Sequence, residues 1–350
     1  MNRSWLLGIA VSVLAVSMTW WISDFRLSQF VMVISWAIPM VGLNLLTGFN
    51  GQISLGHGAF MGIGAYTVAI LVRDQGMSYP LAMVIAFVIC FVVGGLLGIP
   101  ALRLPGTSLA LITVALALAF PQIIKKYSSV TNGVGGITTP PGRQFRAPTS
   151  GFMSGLTNDQ FRYLVFTLIA IVLFWLAWNI VRGRWGLAMM SVRDNPVSAA
   201  SMGVNLPRTK VVTFAISAGY AGIGGAVLVM ATGFVGPDNF GVAVSISILT
   251  GVVIGGLGTI AGAVIGAIFV QFMPNWAQDI PGEVPPGVVY GVVIIVVMIL
   301  APGGVMGLAR RGYAWVLRKR GGSATEAAVL EDTGGFSTET EEPVHTGTVI

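Results

Sequence analysis

The sequence predicts an all-α integral membrane protein of about ten transmembrane helices, with two Gly-rich broken or re-entrant segments and an internal repeat that relates them. Three observations predict it. Of 350 residues, 55% are hydrophobic and 9% charged, against roughly 25% charged in a soluble domain. The few charges bound long charge-free blocks. Glycine, with 47 residues, occurs at about twice its usual frequency and is clustered.

The charge-free blocks run over 4–23, 27–72, 75–102, 104–124, 163–181, 211–237, 239–278 and 284–309. A membrane helix needs about 20 apolar residues to cross about 30 Å of hydrocarbon. Six blocks therefore hold one span each, while 27–72 and 239–278 are long enough for two. Lipid offers no partners to backbone polar groups, so the spans are helices, and the runs are too uniformly apolar for alternating barrel strands. Block 4–23 reads as a first span anchored by Trp20 and Trp21; a cleaved signal sequence with Arg3 at its positive end is the alternative.

With ten spans both termini lie on one side. The cluster Arg310, Arg311, Arg318, Lys319 and Arg320 assigns that side to the cytoplasm, which places the 182–210 loop inside and the 125–162 loop outside. The division is an N-terminal helix over 1–26, a core over 27–309, and a tail over 310–350 that is basic and then acidic. Six of the 13 acidic residues (Glu326, Glu331, Asp332, Glu339, Glu341, Glu342) fall in its acidic part, whose composition predicts disorder. The net charge of +6 averages two opposite regions and implies no nucleic-acid partner. The single cysteine, Cys90, excludes an internal disulfide and a thiolate cluster.

The glycines gather in GFNGQISLGHGAFMGIG (48–64) and GVVIGGLGTIAGAVIG (251–266), each in the middle of a double-length block. Leu46-Thr47-Gly48 overlays Leu249-Thr250-Gly251; after a one-residue shift Gly51, Gly58, Ala59 and Gly62 overlay Gly255, Gly262, Ala263 and Gly266. Paired Gly-interrupted segments point to a transport pathway lined by broken helix ends. Close helix packing through small-xxx-small patterns is the alternative use of the same glycines. The candidate pathway residues are Asn44, Thr47, Gly48, Gly51, Gln52, Ser54, Gly56, His57 and Gly58 in the first cluster, near Asn50, and Gly255, Gly256, Gly258 and Thr259 in the second. His57 is the one histidine of the membrane part, where a lone histidine is more often a hydrogen-bonded structural residue than a proton carrier or ligand. No Asp or Glu falls inside a predicted span, which speaks against a proton-driven carrier.

The 182–210 loop carries strong local signals. Asp194 or Asn195 caps a short helix, Pro196 fits its first turn, 197–202 make about two turns and Gly203 ends it. Met189, Met190, Val197 and Met202 are its available apolar contacts. Such a helix either rests on lipid or docks into a partner.

GRWGLAMMSVRDNPVSAASMGVNLPRTKVVTFAISAGYAGIGGAVL (183–228) resembles the branched-chain amino-acid permease family of bacterial ABC importers, specifically its M-type subunit. So do GLNLLTGFNGQISLGHGAFMGIGAY (42–66), LRLPGTSLALITVALALAF (102–120), TNGVGGI (131–137), GVVIGGLGTIAGAVIGA (251–267) and APGGVMGL (301–308). The resemblance implies a permease that builds a pore with a homologous second permease subunit, as a heterodimer in the bacterial cytoplasmic membrane. Two cytoplasmic ATP-binding subunits drive it and an extracytoplasmic substrate-binding protein delivers cargo. It further implies a coupling helix that enters the ATPase, carried here by Asp194, Asn195, Pro196, Ala199, Ala200 and Gly203. The wider importer signature is Glu-Ala-Ala, three residues, then Gly; this chain has Ser198-Ala199-Ala200, two residues, then Gly203. No lysine follows a glycine, so there is no P-loop; the expectation is a non-enzyme that binds no cofactor, with ATP and Mg held by the partner subunits. Urea, amides or small organic acids are alternative cargoes, and a stand-alone secondary transporter or channel is the alternative class. No acid–base or metal constellation suggests a membrane enzyme.

Overall fold

A computed structural model of the chain describes residues 3–101, 106–148, 155–278, 291–292, 295–296 and 303–309. Most of the 284–309 block and the 310–350 tail, with the readings made for them, lie outside the described residues. The long helices are α1 (Arg3–Trp21), α2 (Asp24–Asn44), α3 (His57–Gln75), α4 (Tyr79–Ala101) and α5 (Gly106–Lys126). A single turn, α6 (Ser128–Thr131), precedes α7 (Asn158–Arg182), α8 (Arg184–Asp194), α9 (Pro196–Ser201), α10 (Leu206–Thr232), α11 (Val242–Gly255) and α12 (Ile260–Gln278). Among the described residues, six stretches are long and apolar enough to cross a membrane: Asp24–Phe49, Tyr79–Ile99, Leu109–Lys126, Asn158–Arg182, Leu206–Thr232 and Pro237–Gly255. Ala10–Trp21 and Ile260–Pro274 are shorter apolar helices. Both double-length blocks contain two helices, α2 with α3 and α11 with α12. Because Ser23 precedes the first turn of α2, that helix starts before the 26/27 boundary drawn from charge spacing.

Helix α10 is the axle. At 27 residues it is about 40 Å long, and α2, α3 and α4 pack around it. Glycine makes that packing close. A methyl on Gly225 would meet the Met61 carbonyl of α3, one on Gly64 would meet the Gly222 carbonyl, and one on Gly42 would lie 2.6 Å from Tyr220 Cβ. Pro39 has no N–H, so the Ser35 carbonyl one turn back lacks its helical donor. The bare backbone of Gly224 fits against both of them. Lipid is as apolar as a leucine side chain, so close backbone contact of this kind replaces the hydrophobic drive that water supplies elsewhere.

The opposite ends of the bundle differ. One end carries the ends of α1 and α3, the start of α4 and the described parts of the 125–162 segment. There β1 (Ile137–Thr138) pairs antiparallel with β2 (Phe234–Val235), Ile137 opposite Val235. Lys125 Nζ lies 2.6 Å from Asp238 Oδ1. Arg143 donates to the Val72 and Arg73 carbonyls at 3.0 and 2.7 Å, and Tyr79 OH donates to the Arg143 carbonyl. A Thr157–Gln160 capping box starts α7, and the Thr157 hydroxyl reaches Asp24 at the start of α2. The cations Lys125 and Arg143 are thus held by the chain's own groups.

The other end carries α8, α9 and both Gly-rich breaks. Residues 184–194, read from sequence as loop, form a helix of their own. Met189 lies on its buried side at 1% exposure, which removes it from the apolar contacts expected to face a partner. The α9 expectation matches in detail: Asn195 Oδ1 accepts the Ser198 amide at 3.0 Å, Pro196 opens the helix, and Gly203 follows it at φ +84°.

Candidate functional site: two helix breaks joined by one asparagine

The first break begins where α2 widens into a π-helical turn, Leu45–Phe49. The chain then runs without regular structure to α3 at His57, with Gly51 at φ +71°. The second break is tighter. It separates Gly255 from Ile260, with Gly256 at φ +116° and Gly258 at φ +71°. Backbone of that hand favours glycine, which has no Cβ to clash.

Asn44 joins the two. Its Nδ2 donates to the Thr259 carbonyl at 2.7 Å, and its Oδ1 accepts the Gly258 amide at 2.8 Å. Both free ends of a buried carboxamide are therefore satisfied by backbone from the other break, 215 residues along the chain. Gly48 lies against the same place, since a methyl there would run into the Gly258 amide. Thr259 Oγ1 donates to the Gly256 carbonyl and closes the tight turn. Five candidates from two distant clusters, Asn44, Gly48, Gly256, Gly258 and Thr259, thus meet at one point.

The rest of the first break is strapped to its neighbours. Thr47 Oγ1 donates to the Gln52 carbonyl at 2.9 Å, and Gln52 Nε2 to the Lys210 carbonyl at the start of α10. The Leu55 amide donates to Thr113 Oγ1 of α5, and Gly56 backs onto the same threonine. The Gly58 amide donates to Ser245 Oγ of α11.

His57 is 1% exposed, and both ring nitrogens are engaged. Ser217 Oγ donates to the Gly42 carbonyl at 2.6 Å, so it accepts from His57 Nε2–H at 2.7 Å. His57 Nδ1 then accepts from Ser54 Oγ–H at 3.2 Å. This is a neutral Nε2–H imidazole tying the start of α3 to α10. Gly255 likewise packs into the bundle, against Gly262 of α12. The overlay of Gly51 on Gly255 pairs a residue of the connecting segment with the last residue of α11, while Gly58, Ala59 and Gly62 in the first turns of α3 overlay Gly262, Ala263 and Gly266 in the first turns of α12. The exposed rim consists of Gly51, Ile53 and Leu257, with Thr47, Gln52 and Gly258 half-buried.

Two site features had no clear signal in the sequence. Arg193 Nη1 donates to the Gly48 carbonyl at 2.8 Å from the last turn of α8. Asn50 is buried, and among the described residues neither its Oδ1 nor its Nδ2 has a hydrogen-bond partner. Its position among glycines put it near the site; its unmet amide could only be found in three dimensions.

These features define a multi-pass membrane protein whose helices are broken at a shared, backbone-lined point next to a short helix at one end. The family model described as "Branched-chain amino acid transport system / permease component" matches residues 25–302. The chain belongs to that family. It is 28% identical over 319 residues, 86% of this chain and 75% of the relative, to the high-affinity branched-chain amino acid transport system permease protein LivM of Escherichia coli K12. It is 26% identical to the corresponding permease protein BraD of Pseudomonas aeruginosa, over 78% of this chain and 92% of the relative. To LivH of E. coli K12 it is 25% identical, covering 78% and 91%. No solved structure matches the chain.

Proposed function

We propose that this chain is the membrane-spanning subunit that forms the translocation pathway of an ATP-driven importer for branched-chain or related small amino acids. In this reading it has ten spans, the tenth within 284–309, both termini lie in the cytoplasm, and the two helix–break–helix units are the internal repeat. Its partners are a homologous second permease subunit, two cytoplasmic ATPases that hold ATP and Mg, and an external substrate-binding protein. The pathway runs past the rim of the joined breaks. His57, Gly58 and Gly255 support that rim from behind.

The observation that carries this reading is α9. It is a six-residue helix, capped at Asn195, on the same end as the breaks. Ala199 anchors it, while Val197 and Met202 stand 80% and 84% exposed. Ala200 and Gly203 are exposed beside them. A solvent-side helix with a fixed base and an apolar tip suits docking into a protein groove, and membership in a transport-system permease family supports an ATPase as the owner of that groove.

The test is reconstitution of the chain with its sister permease, ATPases and binding protein in proteoliposomes, with labelled leucine as cargo. ATP-dependent leucine uptake is expected, and the purified chain alone should hydrolyse no ATP. Gly203→Glu should release the ATPases on co-purification while the melting temperature of the membrane subunit stays within a few degrees. Accumulation of leucine against a gradient by the isolated chain would falsify the reading.

A further inference from the structure

We infer that Arg193 is a positioning residue, a strut that ties the base of α9 to the joined helix breaks and carries movement of α9 into them. The inference rests on the proposed function and adds to it a residue that sequence reasoning did not single out.

Arg193 stands three positions before Pro196, in the last turn of α8. Its Nε pairs with Asp194 Oδ1 at 2.8 Å. Its Nη1 donates to the Gly48 carbonyl at 2.8 Å. Two positions on, Asn195 is the cap of α9. A single guanidinium therefore spans from the helix that projects from the bundle to the π-turn that ends α2.

The surroundings are shaped to admit it. A Cβ on Gly51 would lie 2.8 Å from Arg193 Cγ, and one on Gly258 would lie 4.0 Å from its Nη1. Gly51 is thus required twice, for its positive φ and for the space the arginine stem fills. The last carbonyls of a helix lack intrahelical donors, and a cation there also meets the negative end of the helix dipole. Arg193 supplies both to the end of α2. Gly48 in turn lies against Gly258, and Asn44 bonds the Gly258 amide and Thr259 carbonyl. The connection from α9 through Arg193 and Gly48 to the second break is continuous and made of directed hydrogen bonds and backbone contact. A shift of α9 toward or away from the bundle must move the Gly48 carbonyl or break its bond.

The test uses the complete reconstituted complex and reads leucine taken up per ATP hydrolysed. For Arg193→Gln, the ATPases should still co-purify and hydrolysis should persist, while uptake per ATP falls about fivefold or more, the size of effect expected along a coupling route. Arg193→Lys keeps a cation and one donor at Gly48 and should recover the ratio to within about twofold. Gly51→Ala leaves the arginine in place but crowds its stem, and should uncouple in the same way. The inference is overturned if Arg193→Gln keeps uptake per ATP within about twofold of the unsubstituted complex. It is equally overturned if Arg193→Gln loses assembly while Gly51→Ala couples normally. Assembly and uptake by the unsubstituted complex test the proposed function separately, so the two ideas can fail independently.

Discussion

The two Gly-rich segments look alike in sequence and do different physical work. In 251–266 the glycines serve mostly helix contact: Gly251 faces Gly266 and Gly255 faces Gly262, so α11 and α12 lie backbone to backbone on either side of a tight turn. In 48–58 the helices part. α2 and α3 scarcely touch each other, and the segment between them is held by side chains from α5, α8 and α11 and by the Lys210 carbonyl of α10. The lesson is that glycine content marks a departure from a plain bundle without saying which kind. Neighbouring polar residues discriminate: Asn44, Thr47, Asn50, Gln52 and Ser54 attend the first break, where directed bonds replace packing.

This contrast can be broken by substitution, and the largest effect is expected in the packed break. Gly255→Leu would drive a side chain into the Gly262 carbonyl and should cost about 4 kcal/mol or more. The detergent-purified protein should lose its cooperative thermal transition. Retention of a normal melting temperature would show that α11 and α12 are free to separate.

Next comes the joint itself. Asn44→Ala removes two buried hydrogen bonds and leaves the Gly258 amide and Thr259 carbonyl without partners. About 2–3 kcal/mol of destabilisation is expected, seen as a lowered unfolding midpoint. A loss well under about 1 kcal/mol would mean that water replaces the amide at both backbone groups.

Asn50→Leu should act in the reverse direction. Both amide atoms are buried without a bond, so an apolar replacement of similar size removes a desolvation penalty of about 1–3 kcal/mol. Equal or higher melting temperature is expected, together with slower leucine uptake if the amide serves cargo in transit. A drop in stability would instead reveal a bonded role.

The smallest effect belongs to the end of α9. Gly203 holds φ +84° with open space around it, so Gly203→Ala should cost only about 1 kcal/mol. Hydrogen exchange confined to 196–204 should report it, with the rest of the bundle unchanged.

Much of the architecture was legible because it is written locally. Charge spacing placed α1 to α5, α7 and α10 to α12 in their blocks, and the Asn195, Pro196 and Gly203 signals gave α9 almost residue for residue. The helix over 184–194 was missed because its apolar residues lie among arginines and a glycine, with no cap to announce it. The contacts of Lys125 with Asp238 and of Arg143 with the carbonyls of α3 have no local signal and exist only in the fold. The second glycine cluster carried a pathway signal that packing accounts for in part, since small residues answer to both demands.

By itself, then, the sequence determined that lipid is the solvent, which blocks hold most of the long helices, and where α9 starts and stops; these follow from hydropathy, charge and capping within a few residues. The tertiary structure alone decided that α10 is the axle, that Asn44 reaches Thr259, and that Arg193 reaches Gly48. The reason is physical. In water, hydrophobicity separates inside from outside, but in a membrane both the protein interior and the lipid are apolar. Which faces meet then depends on shape and on hydrogen bonds between residues as far as 215 positions apart, and those exist only once the chain has folded.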